Sequence, residues 1–221
     1  LWVTVENETQ LQWLEHAEVK VPVTCWLKVN TGMNRLGVPL ALAEAFFARL
    51  QACGNVAPDI VLSTHFACAD DMGSPLTRRQ LDAFNALAID APRSAANSAG
   101  VLAWPESHFD WVRPGYMLYG NSPLLAPHDN AALLRPVMSL RASIISLRDV
   151  APGETVGYGA TWTARRPTRI ATLCVGYGDG YPRQMPAGTP VLVRGQRAPL
   201  AGRVSMDMVT VDVTDIADVQ L

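Results

Sequence analysis

Residues 24–53, TCWLKVNTGMNRLGVPLALAEAFFARLQAC, run from an apolar stretch of strand length through a polar, glycine-bearing turn into an amphipathic stretch of helix length. A strand followed directly by a helix is the unit from which parallel sheets are assembled. The same order recurs on either side: LWVTV (1–5) precedes ENETQLQWLEHA (6–17), and DIVLST (59–64) precedes SPLTRRQLDAFNALAI (74–89). In the last of these, Ser74 and Pro75 read as an N-cap followed by a first-turn proline. In parallel sheets, functional groups collect in the loops at the carboxyl ends of the strands. That rule singles out KVNTGMNRLG (28–37), STHFACADD (63–71), AANSAG (95–100) and VRPGYMLYG (112–120).

Beyond a polar, proline-bearing connection, NSPLLAPHDNAALLRP (121–136), the pattern changes. VMSLRASIISL (137–147), TRIATLCV (168–175), TPVLVRG (189–195) and MVTVDVT (208–214) are β-branched runs separated by glycine and proline turns, with no helical period. The expected organisation is an α/β domain over residues 1–130 and an all-β domain over 131–221. The first domain supplies only four or five strand-helix units, whereas a closed (β/α)8 barrel needs eight and typically ~250 residues. Its sheet is therefore either open or part of a barrel.

Hydrophobic residues make up 49% and charged residues 17% of the 221, and the formal net charge is −2. That balance supplies a core and gives no electrostatic reason to expect nucleic acid or an anionic membrane as partner. No apolar stretch approaches the roughly 20 residues of a spanning helix, and nothing reads as a signal peptide. Cys25, Cys53, Cys68 and Cys174 form no CxxC pair and no zinc or disulfide spacing, so we expect no metal site and small thiols in a reducing cytoplasm.

The loop CVGYGDGYPR (174–183) exposes alternate glycines, which suggests a phosphate cradle. The helix that such a cradle requires does not follow, because prolines and a further glycine come next. A glycine-rich strand-to-turn connection is the competing reading. His65, Arg113 and Arg35 each follow an apolar run; singly they read as surface or structural residues, together as a convergence on one planar, anionic ligand. Lys28 sits near a strand end and needs a negative partner if it is buried. Tyr158 lies between two glycines in ETVGYGATW (154–162), either as a turn residue or where the backbone passes close to something.

Seven segments resemble the alanine racemase family in order and spacing: LKVNTGMNRLGV, STHFACADD, SHFDWVRPGYMLYG, PVMSLRAS, VGYGATW, VGYGDGYPR and GRVSMDMVTVD. The resemblance covers essentially the whole chain. It implies a partial (β/α)8 barrel followed by a β-strand-rich domain, the cofactor pyridoxal 5′-phosphate, alanine as substrate, and a cytoplasmic homodimer whose sites are shared across subunits. It also implies that the family's lysine-bearing first barrel strand and its final β-domain segment are not among these residues, so the chain alone is expected to be inactive. Lys28 matches a different family lysine, commonly carbamylated, which supports the neighbouring Arg35.

Racemisation needs one base on each face of Cα. By resemblance, Tyr158 is the base for the L-enantiomer, with its acidity raised through His65 and Arg113, and the lysine outside this chain is the base for the D-enantiomer. Arg113 resembles the donor to the pyridine nitrogen; a guanidinium keeps its proton, so the ring is a restrained electron sink. Ser98, with the backbone of Gly115 and Tyr116, resembles the phosphate cup. Arg35 and the Met206 backbone, with Asp207 beside it, resemble the groups holding the substrate carboxylate. Asp70, Tyr177, Arg183 and Arg203 resemble the lining of the entrance corridor, with Tyr158, Tyr177 and Met206 acting across the dimer. A non-catalytic binding module and a racemase of wider substrate range are the alternatives.

Overall fold

The computed structural model describes all 221 residues, which divide into two compact units, Leu1–Ser139 and Leu140–Leu221. In the first, strands β1 (Trp2–Val5), β2 (Thr24–Asn30), β3 (Val38–Pro39), β4 (Val61–Ser63) and β5 (Arg93–Ser94) form one sheet. The order is β1-β2-β4-β5, with β3 beside the end of β2, and every pairing is parallel. The partial-barrel expectation matches this sheet.

Alternation along β2 sorts the two faces of the sheet. Cys25, Leu27 and Val29 are buried in one cluster with Leu11, Phe46, Leu50, Leu81 and Phe84 from the helices α1 (Glu8–His16), α2 (Ala43–Ala52) and α3 (Leu76–Asn85). Each large side chain removed from water there contributes about 1.5–3 kcal/mol. The register puts Trp26 and Lys28 on the opposite face, with Lys28 level with Ser63 and Ser63 level with Ser94. The indoles of Trp2, Trp26 and Trp111 meet there at centroid distances of 5.5–6.2 Å.

The helix termini follow local chemistry. Asn7 is extended and its side chain accepts from the Gln10 N–H, which starts α1. Helix α3 begins at Leu76 with Pro75 in the N-cap position, one residue later than the sequence suggests, and Ser74 Oγ accepts from the Leu76 N–H at 3.3 Å. Helix α3 stops at Asn85, short of the expected 89. Arg93 is the physical reason, since its guanidinium takes the carbonyls of Phe84, Leu87 and Ile89 at 2.7–3.0 Å and so satisfies a bent chain end. A fourth helix, α4 (Ser98–Ala103), follows β5. The connection read as irregular contains a single helical turn, α5 (Asp129–Ala132), too short to leave a period in the sequence.

The second unit is β-rich, as expected, with 3-10 turns its only helical segments. Antiparallel strands β6 (Ile144–Val150), β9 (Thr168–Leu173) and β12 (Val209–Asp212) form a sheet in the order β12-β9-β6. Two hairpins accompany it, β7 (Thr155–Val156) with β8 (Trp162–Thr163) and β10 (Pro190–Val193) with β11 (Gln196–Pro199). Ala171, Val193, Ala198, Val209 and Val211 make its core. The run expected to be strand from 137 enters the ladder only at Ile144, and its register shifts between Ile144 and Ser146.

Leu27 is fully buried at the centre of the first sheet. Leu27→Ala should cost about 2–5 kcal/mol through lost burial and the cavity left behind. Urea unfolding should show a lower midpoint at unchanged slope.

Candidate active site

The carboxyl edge of the first sheet gathers four basic side chains. Lys28 projects from the end of β2, Arg35 lies in the turn after it, His65 follows β4, and Arg113 follows the bridge that joins Trp111 to Ser94. The Arg113 guanidinium donates to Ser94 Oγ, to the Thr64 carbonyl and, at 3.2 Å, to the Ala95 carbonyl. Burial lowers its pKa, but a guanidinium has so high a starting value that it stays charged. Burial, helped by Arg113, Arg35 and Lys28, pushes the His65 imidazole down to about 4, so the ring is neutral at pH 7. Lys28 is lowered by burial and by Arg35, while Glu6 opposes the shift.

None of the four forms an ion pair with a carboxylate. The sequence demanded a negative partner for Lys28; within the chain as folded, its strongest charged neighbour is the cation Arg35. Positive charge concentrated at a strand edge with no carboxylate in ion-pair contact is an anion-binding arrangement. A cavity of about 320 Å³ opens there, lined by His65, Arg113, Ser98, Gly115, Tyr116 and Asp70. Lys28, Arg35 and Thr31 line a narrow crevice that also touches His65, so the imidazole borders both spaces.

Ser98 begins α4, and its Oγ accepts from the Met117 N–H at 3.1 Å, leaving the hydroxyl proton free to donate. The Gly115 N–H, expected to face a phosphate, donates instead to the Arg113 carbonyl at 3.0 Å because the chain turns tightly at Pro114. A Cβ at Gly115 would meet nothing within 4 Å, so no protein contact requires glycine at that point of the cavity wall.

In the second unit, Tyr158 is 72% exposed, on a 3-10 turn between Gly157 and Gly159, both at positive φ. A Cβ at Gly159 would come within 3.4 Å of the Arg203 guanidinium, which places that cation next to the tyrosine's turn. Arg183 stacks over the Tyr177 ring at 5.5 Å, and Arg183 and Arg203 line one cavity of about 440 Å³. Every N–H from 176 to 180 is spent internally: Gly176 donates to Asp179 Oδ2, Tyr177 to the Ser205 carbonyl, Gly178 to the Met206 carbonyl, Asp179 to Gly176 and Gly180 to Tyr177. The glycine-rich stretch 176–180 therefore has no amides left for a phosphate. Its glycine at 176 serves close approach, since a Cβ there would lie 2.2 Å from the Met206 oxygen.

A family model described as the alanine racemase N-terminal domain matches residues 1–123, and one described as the alanine racemase C-terminal domain matches residues 137–221. The chain belongs to the alanine racemase family. It is 52% identical over 216 residues to the biosynthetic alanine racemase of Escherichia coli O6:H1, covering 96% of this chain and 60% of that protein. It is 50% identical over 211 residues to an alanine racemase of Shewanella denitrificans, covering 95% and 58%. The crystal structure of the biosynthetic alanine racemase from Pseudomonas aeruginosa superposes with a TM-score of 0.91 at 49% identity, covering 100% of this chain and 62% of that one. The chain thus spans about three fifths of the length of these relatives.

In this racemase-family chain, reading the sequence singled out the charged residues and missed their supports. Ser94 holds Arg113, Asn97 caps α4 by accepting from the Gly100 N–H, and Gln80 reaches from α3 to the backbone around His65. Gln80 had a detectable signal, because it interrupts the buried stripe of Thr77, Leu81 and Phe84 with a polar residue.

His65 links the site to pH. The unfolded chain takes up the imidazole proton near 6.5 and the folded chain only near 4. Between those values the unfolded state holds more protons, so stability rises with pH across the window. The contribution is complete above about pH 6.5 and lost as pH falls to about 4. For this partly exposed ring it amounts to about 1–2 kcal/mol after solvent screening. Urea unfolding at both ends of the window should show that loss in the wild type and not in His65→Gln.

Proposed function

We propose that the protein carrying this chain interconverts L-alanine and D-alanine with pyridoxal 5′-phosphate held at the carboxyl edge of the Leu1–Ser139 unit. The observation that carries the reading is the cluster of Lys28, Arg35, His65 and Arg113, without a carboxylate partner, bordering a cavity that ends on Ser98. The donor set suits a phosphorylated, planar anion. Arg113 supplies a fixed cation for the ring and Ser98 a free hydroxyl proton.

When bound, the cofactor supplies the electron-withdrawing ring that acidifies the Cα proton of the attached amino acid. The chain's own residues then bind and move protons. Arg113 would hold the ring nitrogen of the cofactor while keeping its own proton, which would limit electron withdrawal and favour return of the proton to Cα. His65, neutral because of its burial among cations, would relay from Arg113 to the phenol of Tyr158 of the partner subunit. Tyr158 removes or returns the proton on the L-face. Arg35 and the Met206 backbone N–H orient the substrate carboxylate. Lys28 is proposed to be carbamylated: its amine nitrogen adds to CO2 and releases a proton to solvent, giving an anion beside Arg35.

The exposure of Tyr158 and Met206 supports a homodimer in which each β-rich unit completes the partner's site, with Asp70, Tyr177, Arg183 and Arg203 lining the entrance. Four unpaired cysteines support a cytoplasmic setting, and no helix is long and apolar enough to cross a membrane. The relative named biosynthetic supports a role in supplying D-alanine as a peptidoglycan precursor. The second base is proposed to lie outside these residues, since Lys20 is exposed in a connection and Lys28 is assigned the supporting role.

The test is racemisation of L-alanine by the full product of the encoding gene, loaded with pyridoxal phosphate. That product should form D-alanine, and residues 1–221 alone should not. Tyr158→Phe should lower turnover by about 10²–10⁴-fold while cofactor absorbance is retained. Absence of D-alanine from the full product, or undiminished turnover in Tyr158→Phe, overturns the proposal.

A further inference from the structure

Gln80 is completely buried on α3, and every hydrogen bond its side chain makes goes to the carboxyl-edge loops. Its Oε1 accepts from the Ala67 N–H at 2.9 Å, and its Nε2 donates to the His65 carbonyl at 3.0 Å and to Thr31 Oγ1 at 3.1 Å. The amide orientation is thereby determined, because an N–H needs the oxygen and a carbonyl needs the nitrogen. Thr31 Oγ1 lies 2.7 Å from Thr64 Oγ1, which donates to the Val29 carbonyl at 3.0 Å. Each hydroxyl has one proton, so the direction is set throughout: Gln80 donates to Thr31, Thr31 to Thr64, and Thr64 to Val29. A buried chain with every donor used in one direction is rigid, and removing one member strands its neighbours.

We propose that Gln80 is a positioning residue, clamping the backbone that leaves His65 at its carbonyl and at the Ala67 amide, so that the imidazole stays in the cavity it shares with Arg113. Two anchors hold this stretch. Arg113 takes the Thr64 carbonyl, just before His65, and Gln80 takes the His65 carbonyl and the Ala67 amide. Thr31 extends the hold to the end of β2, whose following turn carries Arg35. The functional meaning rests on the racemase reading, in which His65 relays to Tyr158, whereas the clamp itself is a property of the chain.

The test reads the His65 imidazole by NMR titration in the full product of the encoding gene, prepared without cofactor and without turnover. Gln80→Met keeps the volume and removes all three hydrogen bonds. Released from the clamp, the ring should leave its buried place among Lys28, Arg35 and Arg113, and its pKa should rise from about 4 toward the ordinary 6.5. Thr31→Val removes the relay but leaves the clamp, so it should lower stability without moving the His65 titration. An unmoved titration in folded Gln80→Met assigns Gln80 to packing alone and overturns the proposal. A second measurement needs only the wild type. The Gln80 side-chain amide protons should exchange at least about 10-fold more slowly than those of exposed Gln51, and equal rates overturn the proposal even if the variant does not fold. Failure of the full protein to racemise alanine would leave these outcomes intact, so the two readings fall separately.

Discussion

The guanidinium of Arg113 joins chain segments that lie far apart in sequence. It donates to the Ser94 hydroxyl and the Ala95 carbonyl at the end of β5 and to the Thr64 carbonyl after β4. A flexible ammonium has no such planar set of donors, so a lysine would not close the same contacts. The carboxyl edges of two neighbouring strands are thereby held in one arrangement, and the cation that holds them is itself part of the cavity wall. Structural cement and chemical group are here the same side chain, so the geometry of the site follows from the packing of the sheet end.

A buried cation beside Lys28 and Arg35 imposes an electrostatic condition on everything around it. His65 answers by remaining neutral, and the neighbouring positions at the strand ends and the start of α4 carry hydroxyls rather than charge: Ser63, Thr64, Ser94 and Ser98. These accept hydrogen bonds without competing with an incoming anion. The helical side contributes Gln80, an amide that satisfies the loop backbone and adds no charge. The second unit reaches order by backbone means. There, positive-φ glycines and loop-to-loop amide bonds hold Tyr158, Tyr177 and Met206 on turns, with their side chains left exposed.

Much of this was legible in residue order. Alternation in 24–30 against the helix-length stretch behind it identified a parallel sheet, and the rule that groups gather at carboxyl edges led to Lys28, Arg35, His65 and Arg113 before any contact was known. The β-branched runs after residue 137 marked the second unit. Errors came where a local period competes with a long-range partner. Helix α3 ends early where Arg93 takes the Phe84 carbonyl of its last turn and the Leu87 and Ile89 carbonyls of the bent chain beyond it, and the strand expected from 137 starts at Ile144, the first residue paired with β9. The glycines of 174–183 pointed toward phosphate because glycine spacing reports available backbone. Only folding shows that their amides are spent on the Asp179 carboxylate and on the Met206 and Tyr177 carbonyls.

The sequence by itself determined the two-part architecture, the family, and which charged residues stand at strand ends, because periodicity and motif spacing are properties of neighbouring residues. Tertiary structure alone decided that Lys28 finds no carboxylate, that His65 is neutral, and that Ser94, Thr31, Thr64 and Gln80 form the supporting shell. Proton affinity depends on desolvation and on charges brought close from distant parts of the chain, and hydrogen-bond direction depends on which acceptors remain once the backbone has packed. Neither quantity exists until residues separated by dozens of positions share one edge of a sheet.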